Sequence, residues 1–240
     1  MHLSRVAGLL LVSIATLAQQ QSVEITSEPS HHLVLENAYV RVFDVTVAPK
    51  ATTLVHRHHN DYLFVTLGDS DVISARPGEK PAALLLKDGE IRFTPGKFEH
   101  AAINQSDKPF HNITIELLKP ATHVTTCNDF CAQDGCLGAT LNARPACESI
   151  EKQITSDQWR MSLRQLPPSI QVQKQDRNSN MLVIAVSELE LQQQSEGATK
   201  QLKLAPGGLV WLAAGDTQIL KNNTANAARY VTLEFPAEKQ

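Results

Sequence analysis

The 240-residue sequence predicts an all-β protein built as two tandem jelly-roll barrels. Three observations predict this fold. Short strand-forming runs dominate the chain, turn residues punctuate them regularly, and the same plan returns in the second half. Val34-Leu35, Tyr39 to Val47, Leu63 to Leu67, Ala82 to Leu86, Glu90 to Phe93 and Asn112 to Leu117 are rich in β-branched and apolar residues, and Gly, Pro, Asn and Asp break them. Val40 to Val47 alternates mostly apolar with polar, as a half-buried strand does. Many short strands with regular turns suit a sandwich or jelly roll. Helix is expected at most in the cysteine segment and in a turn around Asp157 to Met161.

The repeat is visible as a constant offset. Leu182 to Val186 matches Leu63 to Leu67, Val231 to Phe235 matches Ile113 to Leu117, and Leu166-Pro167 matches Ala48-Pro49, all 118 or 119 positions apart. One such match arises by chance, but a steady offset marks an internal duplication. The expected organisation is a first barrel over 19–120, a cysteine-rich connector over 121–151 and a second barrel over 152–240.

The N-terminus predicts export. Met1 to Arg5 is a short positive start, Val6 to Ala18 is apolar and too short to span a bilayer, and Ala18 is a small residue before the polar Gln19-Gln20-Gln21. Residues 1–18 are thus expected to be a removable signal peptide, with a periplasmic or secreted mature chain that no membrane holds. Cys127, Cys131, Cys136 and Cys147 are all the cysteines and fall in one short region. In an oxidising compartment an even set reads as disulfides, with three possible connectivities. A structural zinc site is the alternative, weakened by the lack of any CxxC pair.

Composition narrows the partners. A formal net charge of −3 gives no electrostatic footprint for nucleic acid, and no polybasic run points to anionic lipid. Aromatic residues are 5% of the chain, too few to suggest a stacking groove for sugars or bases. No GxSxG elbow, P-loop or dinucleotide fingerprint occurs. These features argue against nucleic-acid and membrane-surface partners and name no other.

The chemistry is carried by histidines. His56 and His58, in the run His56 to Tyr62, lie two apart at the start of a strand, so both imidazoles point the same way. His100, after the turn Thr94-Pro95-Gly96-Lys97, is the candidate third member. Three neutral imidazoles suit Zn, Fe, Ni, Cu or Mn.

These residues carry a resemblance to the cupin superfamily, whose two motifs read G-x5-HxH-x3,4-E-x6-G and G-x5-PxG-x2-H-x3-N. Gly89, Pro95, His100 and Asn104 meet the second at its spacing, with Lys97 where the middle glycine stands and Gly96 just before it. His56, His58 and Gly68 meet the first, with Lys50 at the upstream glycine and Tyr62 at the glutamate. The match covers Val34 to Leu118. In the second half Gly207, Ala213, Gly215, Gln218 and Asn222 keep the second motif's spacing, while Gln175, Arg177, Met181 and Gln218 replace His56, His58, Tyr62 and His100. Gln and Met are poor ligands for such ions, so the resemblance implies a double cupin with one metal-type barrel.

The missing glutamate leaves the fourth position open. The readings are a three-histidine site with free positions, Asp61 or His59 rotating in, Tyr62 ligating directly, or a barrel that holds no metal. The resemblance implies a mononuclear metal enzyme of dioxygenase, isomerase or hydrolase type acting on a small molecule, or a non-catalytic module that binds a small ligand or metal, and pairing of two chains through edge strands. Of the remaining residues, Asn104 reads as a structural turn residue, Glu99 and Lys97 as solvated, His31 and His32 as a mobile N-terminal pair, and His111 as a surface strand residue. Arg41 reads as exposed, with a carboxylate-binding role inside the barrel as the alternative.

Overall fold

Alternating β-branched and apolar runs give twenty strands in the computed structural model, which describes residues 21–134, 148–174, 179–195, 198–215 and 217–236. The first half supplies β1 (Val23–Glu24), β2 (His31–Glu36), β3 (Val40–Val47), β4 (His56–His58), β5 (Tyr62–Leu67), β6 (Ser70–Ala75), β7 (Ala82–Leu86), β8 (Ile91–Thr94), β9 (Phe98–Asn104) and β10 (Phe110–Leu117). The second supplies β11 (Thr125–Asp134), β12 (Glu148–Thr155), β13 (Arg160–Leu166), β14 (Gln171–Lys174), β15 (Ser179–Ala185), β16 (Leu189–Ser195), β17 (Ala198–Leu204), β18 (Leu209–Leu212), β19 (Thr217–Lys221) and β20 (Ala228–Pro236). Among the described residues a single 3-10 turn, Ile25–Ser27, interrupts the strands, and no helix is long and apolar enough to cross a membrane.

The duplication is written into the topology. The first half forms sheets of order β1-β4-β9-β6-β7 and β2-β3-β10-β5-β8. The second forms β14-β19-β16-β17 and β11-β12-β13-β20-β15-β18, the same neighbours ten labels later apart from the edge strands β1 and β11. Register repeats as well: Ile113 faces Val65 as Val231 faces Ile184, and Thr114 faces Phe43 as Thr232 faces Ser162.

Two expectations need correction. The described part of the cysteine segment is strand, not helix: β11 pairs with β12 at the edge of the second barrel's sheet, so 121–151 is partly sheet and not only connector. The turn before Met161 is not helical either. Ser156 Oγ accepts the backbone N–H groups of Gln158 and Trp159 at 3.0 and 3.1 Å, and Met161 already lies in β13.

The central sheets are buried on both faces, which explains runs with little polar alternation. In β3, Val40 and Val42 point into a core shared by the two halves, while Phe43, Val45 and Val47 line the first barrel. In β15, Leu182 and Ile184 enter the shared core and Met181, Val183 and Ala185 the second barrel. Trp159, Ile113, Val231 and Leu233 complete the shared layer. At 1.5–3 kcal/mol for each large apolar side chain buried, roughly, this layer binds the barrels into one unit. Asn180 Nδ2 donating to the Tyr39 hydroxyl at 3.0 Å and Arg229 on Asp88 at 3.0 Å edge it with polar contacts.

Candidate metal centre

β4 and β9 pair antiparallel with His56 opposite His100, and His58 lies two residues along the same face as His56. A close approach of backbone sets this pairing. Any Cβ at Gly96 would lie 2.3 Å from the Asn60 backbone, so only glycine lets the β8–β9 turn dock on the loop after His58. Gly96 N–H then donates to Asp61 Oδ1 at 2.8 Å and Lys97 N–H to the His58 carbonyl at 2.6 Å. Lys97 takes φ +64° and Lys50 φ +56°, so both lysines hold the left-handed backbone of the glycines they replace.

The three imidazoles converge. One ligand nitrogen from each of His56, His58 and His100 lies within 4.8 Å of the others, and all three residues are buried. His58 Nε2 is 3.2 Å from His100 Nε2. Two nitrogens about 2.0–2.1 Å from one ion, at tetrahedral to right angles, lie about 2.8–3.4 Å apart, so the spacing fits a shared ion. His56 Nδ1 is tied to the Leu54 carbonyl at 2.9 Å and His100 Nδ1 to Ser74 Oγ at 2.8 Å, which leaves each Nε2 for the centre. His56 Nε2 and His58 Nδ1 are buried and have no hydrogen-bond partner among the described residues, an arrangement costly without a bound group.

Electrostatics favours the ligand form. Burial, and then His31, pushes His56 down to about 4; burial, and then His100 and His56, pushes His58 down to about 2; burial, and then His56, pushes His100 down to about 3. All three are therefore neutral at pH 7, with lone pairs available to a cation.

The fourth-position candidates lie elsewhere. Tyr62 is buried and stacks on His58, with ring centroids 4.3 Å apart and planes at 21°. Its phenol hydrogen-bonds to Thr94, and burial pushes it up to about 12, so it braces His58 and offers no anionic oxygen. Asp61 is occupied by Gly96, and exposed His59 points Nε2 at Glu24, 2.9 Å away. Among the cysteines, Cys136 and Cys147 lie outside the described residues, and Cys127 and Cys131 lie in β11.

One histidine was misplaced by sequence reasoning. His31 is not mobile: it lies in β2, is buried, and sets its ring 4.7 Å from that of His56, while His32 beside it is exposed. Glu28, also buried, holds it through Oε2 to Nδ1 at 2.7 Å and accepts the Ser30 and Leu54 N–H groups. Burial alone would raise the Glu28 carboxyl, but the His31 hydrogen bond and the two backbone donors hold it below the usual range. Nothing in the run His31-His32 distinguishes these two residues; only the pairing of His31 with Val45 turns it inward.

The other assignments divide. Asn104 is structural as expected, donating to the Val47, Ala48 and Lys108 carbonyls at 2.7–3.1 Å. Arg41 neither lies free nor enters the barrel; it faces Glu116 across β3 and β10 and pairs with it at 2.8 Å. Glu99 pairs with Arg57, and half-buried His111 with Asp44 at 2.7 Å. Gln175 and Arg177 lie outside the described residues, and Met181 is fully buried in the second barrel.

The centre opens onto a cavity of about 330 Å³ inside the first barrel. Its walls are apolar, from Val45, Phe64, Val72, Leu84, Leu86 and Phe110, with His31 beside the cluster and Arg76, Glu79, Lys80 and Arg92 among the charged lining residues.

No protein-family model and no curated protein matches the sequence. Solved structures match across most of the chain. AerE from Microcystis aeruginosa matches with a TM-score of 0.57 at 11% identity, over 87% of this chain and 98% of that one. Procruciferin, an 11S globulin from Brassica napus, matches with 0.59 at 10% identity, over 84% and 77%. Oxalate decarboxylase from Bacillus subtilis matches with 0.53 at 10% identity, over 88% and 75%. The repeated sheet order and the two-barrel match together give this protein a double cupin-type jelly-roll fold.

Proposed function

We propose that this protein is an exported cupin that binds one divalent ion on His56, His58 and His100 and presents it to a small molecule in the first barrel. The observation that carries the reading is the convergence of three neutral, buried imidazoles on a cavity, with two of their nitrogens at the spacing of a shared ion. A three-imidazole set leaves the ion its full charge and open positions, and such an ion polarises a bound oxygen or lowers the pKa of bound water. The residues' own part is to fix the ligand rings through Leu54, Ser74 and Tyr62 and to surround the bound molecule with apolar walls. Metal-dependent oxidation or isomerisation of a small substrate is the activity this arrangement suits. One neighbour in fold is described by its Mn(II) centres, which agrees with a divalent ion without naming it. A non-catalytic binding module is the second reading, favoured by Tyr62 standing where the resemblance places a carboxylate.

Residues 1–18 act as the export signal in this reading, and the four cysteines form at least one disulfide in the oxidising compartment. The experiment is metal analysis of protein recovered from the exported fraction, with oxygen uptake on adding thiols or diketones. A stoichiometric ion and a mature chain starting near Gln19 are expected; uptake selects the enzyme. A metal-free wild-type protein would sink the site.

A further inference from the structure

The cavity's charge and shape define what it takes. Arg76 follows β6 directly and is among the cavity's lining residues. Its guanidinium lies 3.8 Å over the Phe98 ring, and its carboxylate neighbour, Glu79, is 3.9 Å away, a loose pairing that leaves donors of its fork for another group. The lining cations are Arg76, Lys80 and Arg92, and Arg92 is taken up by Glu90 at 2.7 Å; among the described lining residues Glu79 is the one carboxylate. Beneath this polar part the wall is hydrocarbon, from Phe64, Leu86 and Phe110. The volume is at the low end of ligand sites, about 300–1,000 Å³, and suits a compact molecule.

We propose that the ligand is an organic monoanion, a small carboxylate with an apolar body, whose carboxylate is held by Arg76 and whose body fills the wall formed by Phe64, Leu86 and Phe110. This rests on the cavity reading above and adds the ligand's class. Arg41, the carboxylate binder considered from sequence, is excluded by its partner Glu116, and Arg76 takes that role. A planar guanidinium grips a carboxylate by two parallel hydrogen bonds, and a neutral amide of the same shape forfeits the charge-assisted part.

The test titrates octanoate and octanamide calorimetrically into metal-loaded wild type, Arg76→Gln and Arg76→Lys, with metal content measured on the same samples. Octanoate should bind wild type about tenfold or more tighter than octanamide, in line with a charge-assisted pair. Arg76→Gln should lose that advantage while octanamide is unaffected, and Arg76→Lys should keep part of it. Equal affinities for the two probes, no binding of either, or an unchanged octanoate affinity in Arg76→Gln with metal content intact would overturn the proposal. Loss of metal from wild type would instead overturn the metal centre, and octanoate discrimination in that metal-free protein would leave the Arg76 site standing.

Discussion

The two barrels share a backbone and differ in what fills them. In the first, Thr94, Ala102 and Asn112 line an open cavity. At the repeat-related positions the second carries Leu212, Leu220 and Tyr230, packed with Met181 and Leu191 into a closed core. Met181 stands where Tyr62 braces His58. What both barrels keep is the turn scaffold. Asn104 gathers the Val47, Ala48 and Lys108 carbonyls and accepts Ser106 N–H, and Asn222 does the same with Leu166, Asn226 and Thr224. The comparison teaches that framework and chemistry are separable: a jelly roll needs its turns, and only a ligand site needs a hole.

Breaking the filled barrel should cost most. Tyr230→Ala removes a fully buried ring from the second core, and unfolding should show a loss of about 3–5 kcal/mol, in the range of large aromatic deletions. Tyr230→Phe sharpens the point. The hydroxyl has no partner among the described residues, so its removal should leave stability within about 1 kcal/mol or raise it. A large loss in the Phe variant would show that the hydroxyl matters more than the filling.

The shared scaffold predicts symmetry. Asn104→Ala and Asn222→Ala should each destabilise by about 1–3 kcal/mol in denaturant unfolding, because each strands buried backbone carbonyls. A marked inequality between them would break the equivalence.

Acid should separate the barrels again. His56, His58 and His100 are held at about 4, 2 and 3 in the folded chain and rise to about 6.5 when it unfolds. The unfolded chain therefore binds more protons below pH 6.5. Stability of the metal-free protein is full above that pH and falls as pH drops toward 4 and below. Thermal melts of metal-free wild type against His58→Ala should show the acid-induced loss shrinking in the variant. The smallest effect is expected at Lys97. Its left-handed backbone matches Gly215 in the second barrel at φ +91°, so Lys97→Gly should gain up to about 1 kcal/mol, strain relief being partly offset by glycine's greater freedom when unfolded.

Much of this was legible in the sequence because it is local or repeated. The steady offset gave the duplication, and the i, i+2 spacing of His56 and His58 needed only a strand to share a face. His100 was found through the spaced motif around Pro95. What was not legible depends on pairing across the sheet. His31 turns inward because β2 registers on β3 with Val45 opposite, and its neighbour His32 in the same run points out. Arg41 is matched by Glu116, 75 positions away in the chain, and no local pattern announces that pair. Arg76 carries no sequence signal of its own, because its place over Phe98 depends on β9 lying beside β6. The cysteine segment read as connector because an edge strand shows little apolar alternation.

The most direct measurement is the number of ions per chain. Purified protein titrated with Mn(II), Fe(II), Ni(II), Cu(II) or Zn(II) should bind one ion of the preferred metal per chain, and His100→Ala should reduce affinity by at least about tenfold, as loss of a ligand does. Two ions per chain would show that the second barrel retains a site. None, or one that survives His100→Ala unchanged, would contradict the three-histidine centre.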